Sequence, residues 1–170
     1  ADDVHKVALV RLLAAKRATG QFEAIKPLTA SSNDSVKLAA YQALPMVSSA
    51  SNVEALLSLL ETASTDTQVR SVQAALIASV DAGSATQVLA AYERQPLKVI
   101  PVLPYTPDKN ALTKVLAALA STDAATKQAV FRQLDALLPP PVVLSSNTSA
   151  LPVAEFAAGV QHPERVLISH

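Results

Sequence analysis

The side chains that could do chemistry are few in this chain, and most of them lie near its C-terminus. Ser-Asn-Thr-Ser at 146–149 is a continuous polar run, and His170 follows Ser149 by 21 positions. An imidazole titrates near neutral pH, so a histidine can accept or donate a proton there. A serine hydroxyl can donate or accept a hydrogen bond. These residue types suit proton transfer to and from a substrate oxygen, provided that the fold brings them together.

Other reactive groups are scarce. The chain has no cysteine, which excludes disulfides, thiol catalysis and cysteine-bound metals. His5 and His162 lack neighbouring ligands at metal-binding spacing, so we predict exposed surface histidines and no metal site. Paired serines such as Ser31-Ser32 occur in turns, and no Gly-x-Ser-x-Gly nucleophile elbow surrounds any serine.

The C-terminal residues predict a β-α-β unit. The apolar run Val142–Ser145 predicts a strand, Ser146 or Ser149 can cap a helix that extends through Val160, and Arg165–Ser169 predicts a second strand. Two strands joined by a helix are expected to lie parallel. The inward face of the helix is predicted to carry Leu151, Val153, Phe156 and Ala157.

Residues 127–170 resemble the middle of the NAD-binding domain of 3-hydroxyacyl-CoA dehydrogenases. The resemblance is carried by a helix over 127–138, by Ser-Asn-Thr-Ser at 146–149, by Pro-Glu-Arg-Val at 163–166 and by His170 after the second strand. It implies that Ser149 contacts the 3-oxygen of the substrate. It also implies that His170 is the general acid/base on that oxygen while hydride passes to NAD.

Other features of that family are not found in the sequence. A Gly-x-Gly-x-x-Gly turn normally receives the pyrophosphate of the dinucleotide, but Gly20, Gly83 and Gly159 are far apart. The family's orienting glutamate and its acyl-CoA-binding helical domain would follow His170. We therefore expect no functioning catalytic residue and no bound cofactor, with NAD implied only by the dehydrogenase interpretation.

The first 138 residues show helical periodicity and an internal repeat. Asp34–Leu44 is similar to Asp66–Leu76, with a Val-Lys pair and a Val-Arg pair 33 residues apart. Residues 4–120 thereby resemble HEAT repeats, and armadillo-like or other helical repeats stay open. The repeat predicts ion pairs Asp34–Lys37 and Asp66–Arg70. We expect both pairs to help set the geometry of the repeat rather than to act in catalysis. Each should be weak, about 0.3–0.5 kcal/mol.

Turn residues predict where these helices begin and end. Residues 31–34 and 64–66 are polar runs that can cap the helices that follow. Gly20 is expected to end the first helix and Pro45 the third, and Pro27 should distort the second. Four prolines between 96 and 107 predict a short broken helix, followed by a regular one over 108–120.

Composition restricts the possible partners. The 14 basic and 14 acidic residues cancel, and aromatic residues make up 4% of the chain. Such a chain offers neither a basic patch nor a stacking platform, so we expect no nucleic acid and no membrane as partner. No apolar run is long enough for a membrane span. The chain begins at Ala1 without a signal-peptide pattern, as a processed product or a fragment would, and its compartment stays open.

The sequence as a whole predicts a mainly α protein. We expect a HEAT-like, right-handed α-solenoid of about four helical pairs over 1–138. A β-α-β-like tail over 139–170 would be packed on the last repeat or loosely ordered. The predicted function is a non-enzymatic scaffold that binds a protein partner. The alternative is an incomplete 3-hydroxyacyl-CoA dehydrogenase, and a third interpretation is a chimera without a joint function.

Overall fold

The computed structural model describes residues 2–120, 123–137, 139, 141–146 and 151–169. Within these ranges the chain is mostly helical, as predicted, and two short strands lie near its C-terminus. The α-helices are α1 (Asp3–Ala15), α2 (Phe22–Ile25), α3 (Asp34–Val47), α4 (Val53–Thr62), α5 (Asp66–Ser79), α6 (Ala85–Arg94), α7 (Pro96–Val99), α8 (Lys109–Leu119), α9 (Ala124–Leu137) and α10 (Val153–Phe156). The strands are β1 (Leu144–Ser146) and β2 (Val166–Ile168). Short 3-10 helices span Thr19–Gln21, Lys26–Ala30, Ala50–Asn52, Ile100–Tyr105 and Pro163–Arg165.

The predicted polar caps begin the central helices. Asn33 accepts hydrogen bonds from the N–H groups of Ser35 and Val36 at the start of α3. Thr65 forms a capping box with Gln68 at the start of α5. These side chains satisfy N–H groups that have no partner within the helix. The prediction of caps at 31–34 and 64–66 is therefore confirmed.

Prolines shape the short helices. α2 gives way to the 3-10 helix Lys26–Ala30, which contains Pro27. α7 gives way to Ile100–Tyr105, which contains two further prolines. Both breaks were predicted from the missing proline N–H. The expectation that Pro45 ends α3 is wrong, because the helix continues to Val47, whose side chain is fully buried.

Gly20 does not end α1. The helix ends at Ala15, and Arg17 has a φ of 49°, which is the left-handed region. The N–H of Ala18 donates to the carbonyl of Leu13 across this turn. Arg17 thus holds the position that a glycine often takes after a helix.

The helices of the first two thirds pack around one apolar core. α1 contacts α3 and α3 contacts α5, while α4 contacts both α5 and α6. The shared core is aliphatic, and its fully buried members include Leu44, Val53, Leu56, Leu60, Val72 and Leu76. Burial of these side chains is the main stabilising contribution to this part of the chain.

One of the two predicted ion pairs is present. Lys37 Nζ lies 3.5 Å from Asp34 Oδ1, at an exposed position. The prediction of an Asp66–Arg70 pair is wrong, because these two described residues form no ion pair with each other. Both side chains are exposed there, so water satisfies them at little cost.

The predicted β-α-β arrangement is confirmed in outline. β1 and β2 are parallel, with Leu144 opposite Val166 and Ser146 opposite Ile168. The connecting helix α10 has only four residues, so the prediction of a helix through Val160 is wrong. Pro152 precedes its first residue, and Gly159 (φ 79°) turns the chain soon after its last. Ser146 is the last residue of β1 rather than a helix cap.

The two-stranded sheet packs on one face of α9. A second apolar cluster, formed by Phe131, Leu144, Phe156, Ala157 and Val166, joins α9 to both strands and α10. A third cluster, formed by Ile100, Ala118 and Val130, joins α9 to the preceding helices. α9 therefore contacts both parts of the protein, and the predicted domain boundary after residue 138 stays a prediction. In the described part of the chain, no helix is both long and apolar enough to cross a bilayer.

Candidate active site

The carboxyl ends of the two strands meet at one edge of the sheet. The Ser169 N–H donates to the Ser146 carbonyl at 3.0 Å, directly beyond the last residue pair of the ladder. The hydroxyl oxygens of Ser145 and Ser169 lie 2.6 Å apart beside this bond. In α/β folds, ligands bind at the carboxyl ends of parallel strands. We therefore expect the predicted proton-transfer site at this edge of the sheet.

The two predicted catalytic residues, Ser149 and His170, lie outside the described residues. The structure does place the residues that lead to them. Ser146 is the residue from which the chain enters the 147–150 segment, and Ser169 directly precedes His170. Since the backbones of Ser146 and Ser169 are hydrogen bonded, both candidates follow from the same point on the sheet edge.

A buried lysine that was not among the residues predicted from sequence lies next to this edge. Lys127 is 3% exposed, and its Nζ donates to Ser146 Oγ at 3.1 Å. The Nζ lies 6.0 Å from the centroid of the Phe156 ring, which itself packs against the Phe131 ring at a centroid distance of 4.9 Å. The helical spacing of Lys127 and Phe131, four residues apart, could have revealed that this lysine shares the inward face of α9.

A buried ion pair holds the opposite end of β2. Arg165 Nη2 lies 2.6 Å from Asp135 Oδ1, with side chains 5% and 1% exposed. Asp135 also accepts hydrogen bonds from the N–H groups of Gln161 and His162. Arg165 Nη1 donates to the Pro139 carbonyl at 2.7 Å. The network joins the C-terminal half of α9 to the loop before β2.

The charge state of Asp135 is set by this network. Burial alone would raise the pKa of its carboxyl group. Hydrogen bonds from Arg165, Gln161 and His162, together with the guanidinium charge, outweigh burial and hold the pKa below its ordinary value. Asp135 is therefore ionised at neutral pH, and its negative charge is paired with Arg165.

The described residues do not fit a dinucleotide. A pyrophosphate needs a glycine turn between a strand and a helix, where backbone N–H groups can approach it closely. Gly159 instead follows α10, and a Cβ on it would lie 3.0 Å from Arg132 Nε. Gly20 lies in a 3-10 helix and Gly83 in the turn before α6, and neither lies between a strand and a helix. None of the glycines in the described ranges forms a pyrophosphate cradle.

Neither histidine in the described part of the chain has a metal-binding neighbourhood. His5 is exposed, and its Nδ1 lies 2.7 Å from Asp2 Oδ1. His162 Nδ1 lies 3.4 Å from Glu164 Oε1. Over the residues that the structure describes, no group of three or more His, Asp or Glu side chains could hold a metal ion.

Comparison with known proteins identifies the family. The family model described as 3-hydroxyacyl-CoA dehydrogenase, NAD binding domain, matches residues 60–170. The chain belongs to this family. A probable 3-hydroxybutyryl-CoA dehydrogenase of Bacillus subtilis is 45% identical over 56 residues, which are 33% of this chain and 19% of that protein. A 3-hydroxybutyryl-CoA dehydrogenase of Mycobacterium tuberculosis is 34% identical over 95 residues, which are 54% of this chain and 31% of that protein.

The chain thus spans less than a third of the length of these curated relatives. No solved structure matches it. The family match begins at residue 60, well before the predicted start at 127, and it includes helices that were predicted to form a HEAT-like repeat. The comparisons therefore favour the dehydrogenase interpretation over the non-enzymatic scaffold. Because the family binds NAD, they do not support the prediction of no cofactor.

Proposed function

We propose that this chain carries the proton-transfer edge of a 3-hydroxyacyl-CoA dehydrogenase. Ser149 would hydrogen bond to the 3-oxygen of a 3-hydroxyacyl-CoA or 3-ketoacyl-CoA, and His170 would exchange the proton on that oxygen. The observation that carries the proposal is the hydrogen bond between Ser169 N–H and the Ser146 carbonyl. It brings together the two strand ends from which both candidates follow.

The chemistry assigned to the pair is limited to the 3-oxygen. A neutral imidazole can take the proton of a 3-hydroxyl group, and an imidazolium can return it to a 3-keto oxygen. Correctly placed acid–base groups of this kind contribute about 10²–10⁴-fold to a rate. A serine hydroxyl beside the same oxygen would orient it for the histidine.

Binding of acetoacetyl-CoA tests the proposal. We expect saturable binding by calorimetry, with shifts of the Ser145, Ser146 and Ser169 amide resonances in NMR spectra. Ser149→Ala and His170→Ala should each weaken binding several-fold. Ser58→Ala is the matched control, because Ser58 is exposed in the middle of α4. Binding that leaves the edge resonances in place, or that both variants retain in full, would contradict the proposal.

An NADH titration tests the cofactor separately. Since the described glycines form no cradle, we expect no saturable rise in NADH fluorescence with this chain by itself. Saturable NADH binding would contradict the conclusion that these residues do not fit a dinucleotide, and would give the chain the cofactor that its family suggests.

A second candidate function applies to residues 1–138. We propose a HEAT-like solenoid that binds a protein partner, supported by the serial packing of α1, α3 and α5 and by exposed apolar side chains such as Leu112, 61% exposed. Stacked helical repeats commonly bind partners along such faces. The acetoacetyl-CoA titration separates the two candidates, because a repeat surface predicts no binding at the sheet edge.

A further inference from the structure

The outer face of α1 is apolar and exposed. α1 buries Val10 and packs on α3. On the opposite face Val4 is 77% exposed and Leu12 is 53% exposed, and Ala8 and Ala15 are exposed as well. At 3.6 residues per turn, the last four residues lie within an arc of about 80°. They form one apolar stripe along the helix, which we call the α1 stripe.

The α1 stripe has the shape of a helix-packing surface. Single exposed apolar residues are common on protein surfaces, but a continuous apolar patch is typical of an interaction site. The stripe extends over about three turns, and its large residues Val4 and Leu12 alternate with the small Ala8 and Ala15. A second helix could therefore approach closely, with its large side chains opposite the alanines.

The charges at the two ends of α1 differ in sign. Asp2 and Asp3 lie at its N-terminal end, while Lys16 and Arg17 directly follow its last residue. Asp3 already pairs with Lys6, so Asp2 supplies the negative charge that this end has to offer. Lys16 and Arg17 form no ion pair within the described part of the chain. One end of the stripe is therefore acidic and the other is basic.

This charge pattern is complementary to itself when two copies of α1 lie antiparallel. The acidic end of each copy then lies level with the basic end of the other, whereas a parallel arrangement would place like charges together. In the same antiparallel register, Val4 lies opposite Ala15 of the second copy, and Ala8 lies opposite Leu12. Both the charges and the alternation of large and small residues therefore fit one arrangement.

We propose that the α1 stripe is a self-association surface, on which a second copy of this chain packs with its α1 antiparallel to the first. The two copies are related by a two-fold axis, and each contributes the same residues. A contact made by one helix of about 20 Å is smaller than a standard interface, so the dimer forms at concentrations on the order of 100 µM. The inference depends on neither proposed function, because it involves neither the sheet edge nor a different protein.

Sedimentation of the full chain between about 5 and 500 µM measures the association. We expect dimers at the upper end of this range, and we expect Leu12→Glu to weaken the association at least about tenfold, because a carboxylate would be buried at the contact. Leu12 is exposed in the single chain, so this variant should fold. Leu112→Glu is the matched control, since Leu112 is an equally exposed leucine on α8 and lies outside the stripe.

Disulfide cross-linking tests the orientation, because the chain has no cysteine of its own. Val4→Cys and Ala15→Cys should form a disulfide-linked dimer when the two variants are mixed, and each variant by itself should form far less. Cross-linking of each variant with itself, and not in the mixture, would mean a parallel arrangement and would overturn the proposal.

The sedimentation outcomes are equally decisive. A chain that stays monomeric at the highest concentration would overturn the proposal, and would leave a different protein as the partner of the stripe. Association that Leu12→Glu retains in full, or that Leu112→Glu weakens to the same extent, would show that the chain associates through another surface.

Discussion

Two buried charges on the inward face of α9 hold opposite ends of the small sheet. Lys127 contacts the carboxyl end of β1, while Asp135, about two turns further along the helix, contacts Arg165 before the amino end of β2. α9 therefore runs antiparallel to both strands. Since each contact joins groups at least 19 residues apart, the two together fix how the sheet sits on the helix.

The Asp135–Arg165 pair predicts a stability that depends on pH. The folded-state pKa of Asp135 lies below the ordinary value of 3.8, so its contribution is present above that value and is lost as the pH falls through the folded pKa. We expect Asp135→Asn to flatten the loss of stability between pH 5 and about pH 3. At pH 7 the same variant should lose about 3–5 kcal/mol, because Arg165 would stay buried without its counter-charge.

Urea denaturation at pH 7, 5 and 3 measures both effects of Asp135→Asn. Asp66→Asn is the control, since Asp66 is an exposed carboxylate without an ion pair to Arg70 in the structure. An unchanged pH slope in Asp135→Asn would mean that the pair does not contribute to acid sensitivity.

At the scale of elements, a lysine that is distant in sequence caps the C-terminus of α4. Lys98 Nζ donates to the carbonyls of Leu60, Glu61 and Ala63 at 2.8, 3.1 and 2.9 Å, at the C-terminus of α4. These carbonyls have no partner within the helix, and a positive charge there also favours the helix dipole. We expect Lys98→Met to lower the free energy of unfolding by about 1–3 kcal/mol.

Chemical denaturation of Lys98→Met measures this loss, with Lys109→Met as the exposed control, expected within about 0.5 kcal/mol of the unmodified chain. Hydrogen exchange adds a local measurement. The last turn of α4 should exchange faster in Lys98→Met, and an unchanged rate there would contradict the role given to Lys98.

The elements that sequence predicted well are those set by local chemistry. Asn33 and Thr65 cap helices through bonds to residues two or three positions away, and Pro27 breaks a helix through its own missing N–H. The parallel pairing of β1 and β2 followed from the alternation of strand, helix and strand. Each of these signals lies within a few residues of its effect.

The interactions that sequence did not predict are long-range. Lys98 reaches carbonyls 35–38 residues away, and Arg165 reaches Asp135 across 30 residues. Helical periodicity places Lys127 and Asp135 on the same face as Phe131, but it does not say that another element covers this face. α3 continues past Pro45 for a related reason, because Val47 is fully buried in the core. Of the candidate site, the sequence predicted the motif and the strand pairing but not the lysine beside them.

At the scale of the whole molecule, α9 is the shared element. One face packs on the preceding helices through Val130 and Ile100, and another packs on the sheet through Phe131, Phe156 and Leu144. The family match over residues 60–170 also includes α9. We therefore expect the preceding helices and the C-terminal sheet to unfold together rather than as separate domains.

Deleting residues 142–170 tests this expectation. The deletion removes the cover of Phe131 and leaves Asp135 buried without Arg165, so the melting temperature should fall by at least about 5 °C. Phe156→Ala should act in the same direction, because its ring is fully buried and its loss costs about 3–5 kcal/mol. Leu112→Ala, at an exposed position on α8, is the control and should change little. Calorimetry should show one transition for the intact chain. An unchanged melting temperature after the deletion would mean that the sheet does not stabilise the helices on which it lies.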